Sequence, residues 1–285
     1  MQRILIAGCG RLGTAAANRL SGWGNTVYGL RRHWPSTPLS LQPLQADLHD
    51  PASLADSVPS GLDVVLHVLT PEQRDEAGYR RAYVDTLQAL LDLPQLADPR
   101  QRWVFVSSTA VYGDARGDWV DERTPVAPAD YNGRVLVEAE TRLLSARPNA
   151  AVLRLGGIYG PGRDHLLRQL RGGSLRVQRE PPHWSNRIHA EDAAELLARL
   201  ALAKACGPLN GVDAEPASEA EVADWLARRL GLPAAATKPS SDARPNRRIA
   251  ARRLNELDFQ YRYADFRVGY SALLNSESEP PGDPP

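Results

Sequence analysis

Chemistry could begin at Gly8, Gly10 and Gly13, three glycines spaced G-x-G-x-x-G inside ILIAGCGRLG, residues 4 to 13. Glycines at this spacing let a backbone turn sharply, admit a diphosphate where a Cβ would stand, and seat a following helix close to a strand. That helix start offers the amides of Gly10, Arg11, Leu12 and Gly13, and the positive end of its dipole, to an anion. The plainer alternative is that the glycines only turn a strand into a helix. Context favours a dinucleotide, because the motif follows the apolar run Ile4 to Ala7 and opens a helix pattern, Arg11 to Leu20. Arg31 and Arg32 close the next apolar run, Thr26 to Leu30, and no Asp or Glu precedes Asp47. At that strand end a carboxylate binds the 2′-hydroxyl of NAD, and an arginine accommodates the 2′-phosphate of NADP. Two cations without a carboxylate favour NADP, with NAD kept open; simple solvated loop charges are the alternative. Ser107, Ser108 and Thr109 end a further apolar run, Trp103 to Val106. A serine there can hydrogen-bond a substrate oxygen or merely cap a helix.

The elements that must carry these groups alternate. Strand patterns at Ile4–Ala7, Thr26–Leu30, Leu44–Leu48, Asp63–Leu69 and Trp103–Val106 are separated by helix patterns at Arg11–Leu20, Pro51–Val58 and Glu72–Leu93. On the last of these Tyr79, Tyr83, Leu87, Leu90 and Leu91 share a face. The alternation predicts an α/β fold, a Rossmann-type doubly wound parallel sheet with ligands above the carboxyl ends of its strands and a smaller C-terminal substrate lobe. Residues 1–155 form the dinucleotide-binding domain, with 186–212 returning to the sheet, and 156–275 form most of the lobe. His67, inside the apolar run DVVLHVL, reads as a hydrogen-bonded core histidine before it reads as a catalyst.

Past residue 156 the rhythm becomes irregular. Asp164–Leu170 is a short helix, and Ser174–Arg187 is a polar loop over the sheet, where specificity is usually carried. Ala190–Lys204 is a helix and Pro208–Val212 a strand. Ser218, with Glu221 three residues on, starts a capped helix to Leu230. The run Arg244–Arg253 reads as a solvated or dimer-facing helix start, or as a contact for a phosphate or carboxylate. Ser276–Pro285 is acidic, proline-rich and without an apolar face, so it is expected to lack structure.

Composition narrows the function classes. The 285 residues carry 34 Lys plus Arg against 34 Asp plus Glu, so no net field draws the chain to nucleic acid or to an acidic membrane. No apolar run approaches the ~18 residues that span a bilayer, and a first strand at Arg3 leaves no room for a signal peptide, which points to the cytoplasm. Cys9 and Cys206 are too few for a disulfide framework or a structural zinc site, and the histidines at 165, 183 and 189 are too irregularly spaced for a metal. Cys9 reads as a small residue in a glycine loop rather than as a reactive thiol.

Seven segments carry a family likeness: AGCGRLG (7–13), ADLHD (46–50), DVVLHVLT (63–70), VFVSSTAVYGD (104–114), VDERTPVAP (120–128), LRLGGIYGPGR (153–163) and NRIHAEDAA (186–194). In this order the sequence resembles the extended, epimerase/dehydratase-like branch of the short-chain dehydrogenase/reductase superfamily. The resemblance implies that Asp47 and Leu48 lie by the adenine and that His67, Val68 and Leu69 line the cofactor channel. It implies that Ser108, four residues before Tyr112, holds a substrate carbonyl or alcohol. It also implies that Arg187, His189 and Asp192 belong where the lobe closes on the sheet, with Arg163 and Arg187 placed to meet an anionic substrate. Related dimers pair the helices at 72–93 and 130–146, so the expected partners are a small-molecule substrate and a second copy of the chain.

One departure matters. Family enzymes carry Tyr-x-x-x-Lys after the serine, whereas this chain reads ADYNGRVLVEAE over 129–140. With Glu140 laid on the family's final glutamate, Asn132 takes the tyrosine position and Leu136 the lysine position. A shift of one residue brings Tyr131 into place with Arg134 three positions on, sharing a helix face. A fixed cation beside a tyrosine favours its anion, although arginine cannot itself be deprotonated. The pattern resembles the atypical subgroup of the superfamily. The reading is an NADP-preferring oxidoreductase, or an epimerase/dehydratase that starts by hydride transfer, with Ser108, Tyr131 and Arg134 as catalytic residues. The alternative is a non-catalytic NADP-binding sensor or regulator whose Tyr/Lys site has decayed.

Overall fold

The computed structural model describes residues 1–35, 39–239 and 244–278. Its central sheet has seven parallel strands: β1 Arg3–Ala7, β2 Thr26–Arg31, β3 Gln42–Gln45, β4 Val64–His67, β5 Arg102–Ser108, β6 Ala151–Leu155 and β7 Gly207–Gly211. They run in the spatial order β7-β6-β5-β4-β1-β2-β3. A parallel sheet covered on both faces needs apolar side chains on both, which is why its central strands are unbroken apolar runs.

Alternation along each strand divides them between two layers. Ile4, Ile6, Val64, Leu66, Val104 and Val106 pack with Ala16, Ala17 and Leu20 of α1 (Arg11–Gly22) and with Leu196 and Leu197 of α6 (Ala190–Leu202). Leu5, Val65, Trp103 and Phe105 face the other way, onto Leu87, Leu90, Val135, Leu136 and Leu143. These last come from α3, which spans 76–91, and α4 (Tyr131–Ala146). Each fully buried Leu or Ile contributes ~1.5–3 kcal/mol, whereas a solvent-screened ion pair such as Arg80–Glu138 between α3 and α4 contributes little. Apolar burial therefore sets the layers, and the ion pairs only trim them.

The chain leaves β1 toward β2 on one side and returns to β4 on the other, so the strand order reverses between β1 and β4. Ala7 pairs in register with Leu30 and with His67, which levels the three strand ends below one crevice. An open doubly wound sheet binds its ligand at this point. A third core lies beyond the sheet, in the lobe. There Leu167 and Leu170 of α5 (His165–Arg171), Val222 and Leu226 of α7 (Glu219–Leu230), and Phe266 and Tyr270 of α8 (Phe266–Ser278) meet Tyr159.

Several elements differ from their sequence expectation. The third strand is Gln42–Gln45 rather than Leu44–Leu48, because it pairs with Tyr28 to Arg31, and Asp47 and Leu48 leave the sheet at its carboxyl edge. α3 begins at Glu76 rather than Glu72, because the Asp75 carboxylate caps it by accepting from the amide of Gly78 at 2.7 Å. Within it Arg80–Asp85 take π geometry between α-helical Glu76–Tyr79 and Thr86–Leu91. The polar loop expected over 174–187 contains strands Arg176–Val177 and Trp184–Ser185, whose partners Ala236–Thr237 and Ala217–Ser218 lie far along the chain. The arginine-rich run at 244–253 is extended rather than a helix start, and its Arg248–Ile249 pairs with Trp119–Val120. α8 continues through Ser278, so residues 276–278 of the expected structureless tail are helical, and 279–285 lie outside the described residues. Asp50 caps α2 (Pro51–Ser57), accepting from the amides of Ala52 and Ser53 at 3.1 and 3.3 Å, and Ser218 does cap α7, accepting from the amide of Glu221 at 3.1 Å. Among the described residues no helix is long and apolar enough to cross a membrane.

Candidate functional site

The three glycines do different work. Gly8 turns with φ +100°, and a Cβ there would overlap the carbonyl oxygen of Val68, so this position needs glycine both for its backbone and for its neighbour. A Cβ on Gly13 would overlap the carbonyl oxygen of Gly8 and crowd Ile6, which is how α1 comes to lie so close to β1. Gly10 is the opposite case, since a Cβ there would meet nothing within 4 Å. Gly10 is the N-cap of α1, no side chain caps that helix, and its first turn holds no acidic residue. The open space before an uncapped helix start, with its amides and positive dipole end, suits a diphosphate. These residues therefore fit a dinucleotide.

Beside the loop lies a cavity of about 330 Å³. Gly8 and Gly10 contribute to its wall, as do Arg31 and Arg32 from the end of β2 and Asp47 and Leu48 from the turn after β3. Val68 and Leu69 join them from the end of β4. Sequence reasoning missed the far wall, where Glu72, Arg81 and Thr86 come from the loop before α3 and from α3 itself. No local signal marks them, apart from the π turn that carries Arg81, a feature often found at functional sites. Arg31 donates to the carbonyl of Cys9 at 3.4 Å and lies 6.0 Å over the Trp34 ring, while Arg32 is ion-paired with Glu72. Arg11 reaches away from the cavity to donate to the carbonyl of Gly162, tying the glycine loop to the segment that carries the exposed Arg163. Leu12 packs against the α1-side core.

Two residues near the loop are inert. The Cys9 thiol is buried, and burial pushes its pKa up to about 12, so it is not a thiolate at neutral pH. His67 is fully buried, stacked 5.1 Å from Phe105, with Nε2 2.8 Å from Thr86 Oγ1. Thr86 Oγ1 in turn donates to the carbonyl of Ala82 at 2.7 Å. Burial lowers the imidazole to about 3, so it is neutral. His67 does not line the cavity as its two successors do, because it is the last residue of β4, packed beside Phe105, while Val68 and Leu69 lie beyond the strand's end.

The Ser108 end is built differently. Ser108 Oγ accepts from the amide of Ala110 at 3.2 Å, capping the short turn Thr109–Val111. α4 is seated on that turn through Gly133, where a Cβ would overlap the carbonyl oxygen of Ala110. Tyr131, the first residue of α4, donates its hydroxyl to the carbonyl of Arg74 at 2.5 Å and meets Tyr79 edge-on at 5.5 Å. Arg134 folds back to donate to the carbonyl of Ala129 at 3.0 Å. Leu136 is buried in the core. None of Ser108, Tyr131 and Arg134 lines the cavity beside the glycine loop. Beneath them Glu140 is buried against Arg154 at 2.6 Å and accepts from Ser107 at 2.6 Å. Arg154 donates onward to Tyr112, and Tyr112 to Asn210, at 3.0 and 2.9 Å.

The segment 186–194 forms the joint with the lobe. Arg187 is buried, donates to Ser185 Oγ at 2.5 Å, and leaves Nη1 without a partner. Nearby, burial raises the Asp213 carboxyl to about 8 against the pull of the Arg187 charge. Asp192 accepts from the amides of Arg262 and Tyr263 at 3.0 and 2.9 Å, and His189 Nδ1 accepts from the amide of Glu191 at 3.3 Å. Among the described residues no group of three or more His, Cys, Asp or Glu could hold a metal ion.

The profile of the NAD dependent epimerase/dehydratase family matches residues 4–209. Protein YeeZ of Escherichia coli K12 is 32% identical over 281 residues, covering 93% of this chain and 97% of its own. A solved structure from Methylobacillus flagellatus, 33% identical, superposes with a TM-score of 0.79 over 98% of this chain and 99% of the other. The crystal structure of human epimerase family protein SDR39U1 with NADPH shares the fold, at a TM-score of 0.75 and 20% identity over 96% of this chain and 99% of the other.

Proposed function

We propose that this chain, which belongs to the NAD dependent epimerase/dehydratase family, binds NADP at the glycine loop and acts on an alcohol or carbonyl substrate, sugar-nucleotide-like in kind. Gly10 carries the reading: it opens an uncapped helix start to a diphosphate while Gly8 and Gly13 fix the turn around it. Arg31 and Arg32 line the cavity from the end of β2, where this fold meets the adenosine ribose, which supports a 2′-phosphate there. A bound nicotinamide supplies the hydride acceptor or donor. Ser108 would then orient the substrate oxygen in place of the Ala110 amide, and Tyr131 would exchange the proton after releasing the Arg74 carbonyl. Arg134, one helical turn from Tyr131, would bias that hydroxyl toward its anion. Arg163, exposed beside the glycine loop, is the better placed of the two substrate arginines, because Arg187 is buried in the lobe joint.

A second reading is favoured by one set of contacts. Tyr131 and Arg134 each spend their polar groups on backbone carbonyls, and an apolar Leu136 occupies the lysine position of the ungapped alignment. A protein that binds NADP and reports its redox state without turnover would show the same arrangement. Tyr131→Phe separates the two in preparations with measured turnover. The enzyme reading expects kcat to fall by about a hundredfold or more, as for loss of a general acid/base, with NADPH affinity unchanged by calorimetry. Turnover equal to that of the parent chain would remove Tyr131 from the chemistry.

A further inference from the structure

The carboxylate that composition denies to the end of β2 arrives from another part of the chain. Arg32 follows β2 and Glu72 follows β4, forty residues later, yet the two are ion-paired in the wall of the cavity. Both side chains are half or more open to solvent, but the backbone that follows Glu72 is held in place. The Glu72 loop is pinned by Asp75, which accepts from the Gly78 amide at 2.7 Å, and by the Arg74 carbonyl, which accepts from Tyr131 at 2.5 Å. Gly78 closes the same turn, since a Cβ there would overlap the carbonyl oxygen of Gln73. The neighbouring Arg31 instead rests on the Cys9 carbonyl and the Trp34 ring.

We propose that Glu72 is a specificity-determining residue for the cofactor, competing with a 2′-phosphate for Arg32 and accepting a hydrogen bond from a 2′-hydroxyl. The inference rests on the reading that this cavity takes the adenosine end of a nicotinamide nucleotide. A 2′-phosphate must displace the Glu72 carboxylate to reach the Arg32 guanidinium, and it is repelled by that carboxylate as it approaches. A 2′-hydroxyl leaves the pair intact and donates to the free carboxylate oxygen. The pocket is thus less selective than two unopposed arginines would be, and it admits both nucleotides.

The test measures dissociation constants of the full chain for NADPH and NADH by calorimetry, with melting temperatures to confirm that each variant is folded. Glu72→Gln is expected to bind NADPH about fivefold more tightly, the scale of an exposed ion pair released, and NADH more weakly. Arg32→Ala is expected to shift the ratio the other way by about tenfold, the scale of a charge-assisted hydrogen bond lost. A Glu72→Gln ratio unchanged, or shifted toward NADH, overturns the inference, as does an Arg32→Ala ratio equal to that of the parent chain. If the parent chain binds neither nucleotide, the reading of the cavity itself fails and this inference falls with it.

Discussion

The glycine loop and the Ser108 end stand above the same sheet edge and are made of different material. At the glycine loop the structure offers backbone amides and empty space, left uncapped at the start of α1. At the Ser108 end the groups that could do chemistry are side-chain hydroxyls and a guanidinium, each satisfied by nearby backbone. A backbone cradle depends only on three residues being glycine, so it survives wide change elsewhere. A side-chain constellation depends on rotamers that a one-residue change of register on α4 redirects. The glycine loop therefore stands open in this chain, whereas the hydroxyls and the guanidinium of the Ser108 end are already tied to backbone.

The largest effect is expected from what stiffens the Ser108 end. If the buried pair of Glu140 and Arg154 holds it, Arg154→Met strands a buried carboxylate. Stability in urea should then fall by about 3–5 kcal/mol. A loss under 1 kcal/mol would show that the pair is not what fixes the seat of α4.

A second, somewhat smaller effect concerns the core between the two ends. His67 is held neutral near 3, below its unfolded value of 6.5, so the unfolded chain takes up its proton first as pH falls. Its contribution is complete above pH 6.5 and drains away between 6.5 and about 3. The slope approaches ~1.4 kcal/mol per pH unit for one proton. In His67→Leu that part of the slope should vanish; an unchanged stability profile from pH 7 to 5 would contradict the burial argument.

Gly10→Ala sharpens the contrast in the other direction. With nothing within 4 Å of the new Cβ and a backbone φ of −73°, the fold should be unaffected and the melting temperature should stay within about 2 °C. NADPH affinity, by contrast, should drop tenfold or more, about 1.4 kcal/mol, because the methyl group stands where the diphosphate belongs. Affinity equal to that of the parent chain would detach the loop from the ligand.

The smallest effect is expected at Arg134. Its single bond to the Ala129 carbonyl is exposed, so Arg134→Ala should alter stability by no more than about 0.5 kcal/mol. A larger change in thermal unfolding would mean that the start of α4 is braced by this side chain.

Much of this was legible in the linear chain. Apolar runs of four to seven residues announced β1, β4 and β5, and the spacing of Gly8, Gly10 and Gly13 announced the strand-to-helix turn, because buried parallel strands and glycine turns are both specified by neighbours in sequence. Local chemistry also fixed the caps at Asp50 and Ser218, where a side-chain oxygen needs only the next two or three amides. What the sequence could not show is which distant groups meet. The short strands at Arg176–Val177 and Arg248–Ile249 exist only because their partners lie about 60 and 130 residues away. Glu72 opposite Arg32 follows from the parallel sheet bringing the ends of β2 and β4 to one edge, and Tyr131 spent on Arg74 from α4 packing beside the start of α3. Sequence determined the turn and the strands, since these are settled within a few residues. Tertiary structure decided the electrostatics of the pocket and the partners of the Ser108 and Tyr131 hydroxyls, since a charge or a hydrogen bond is defined by whatever packing brings within 3 to 4 Å.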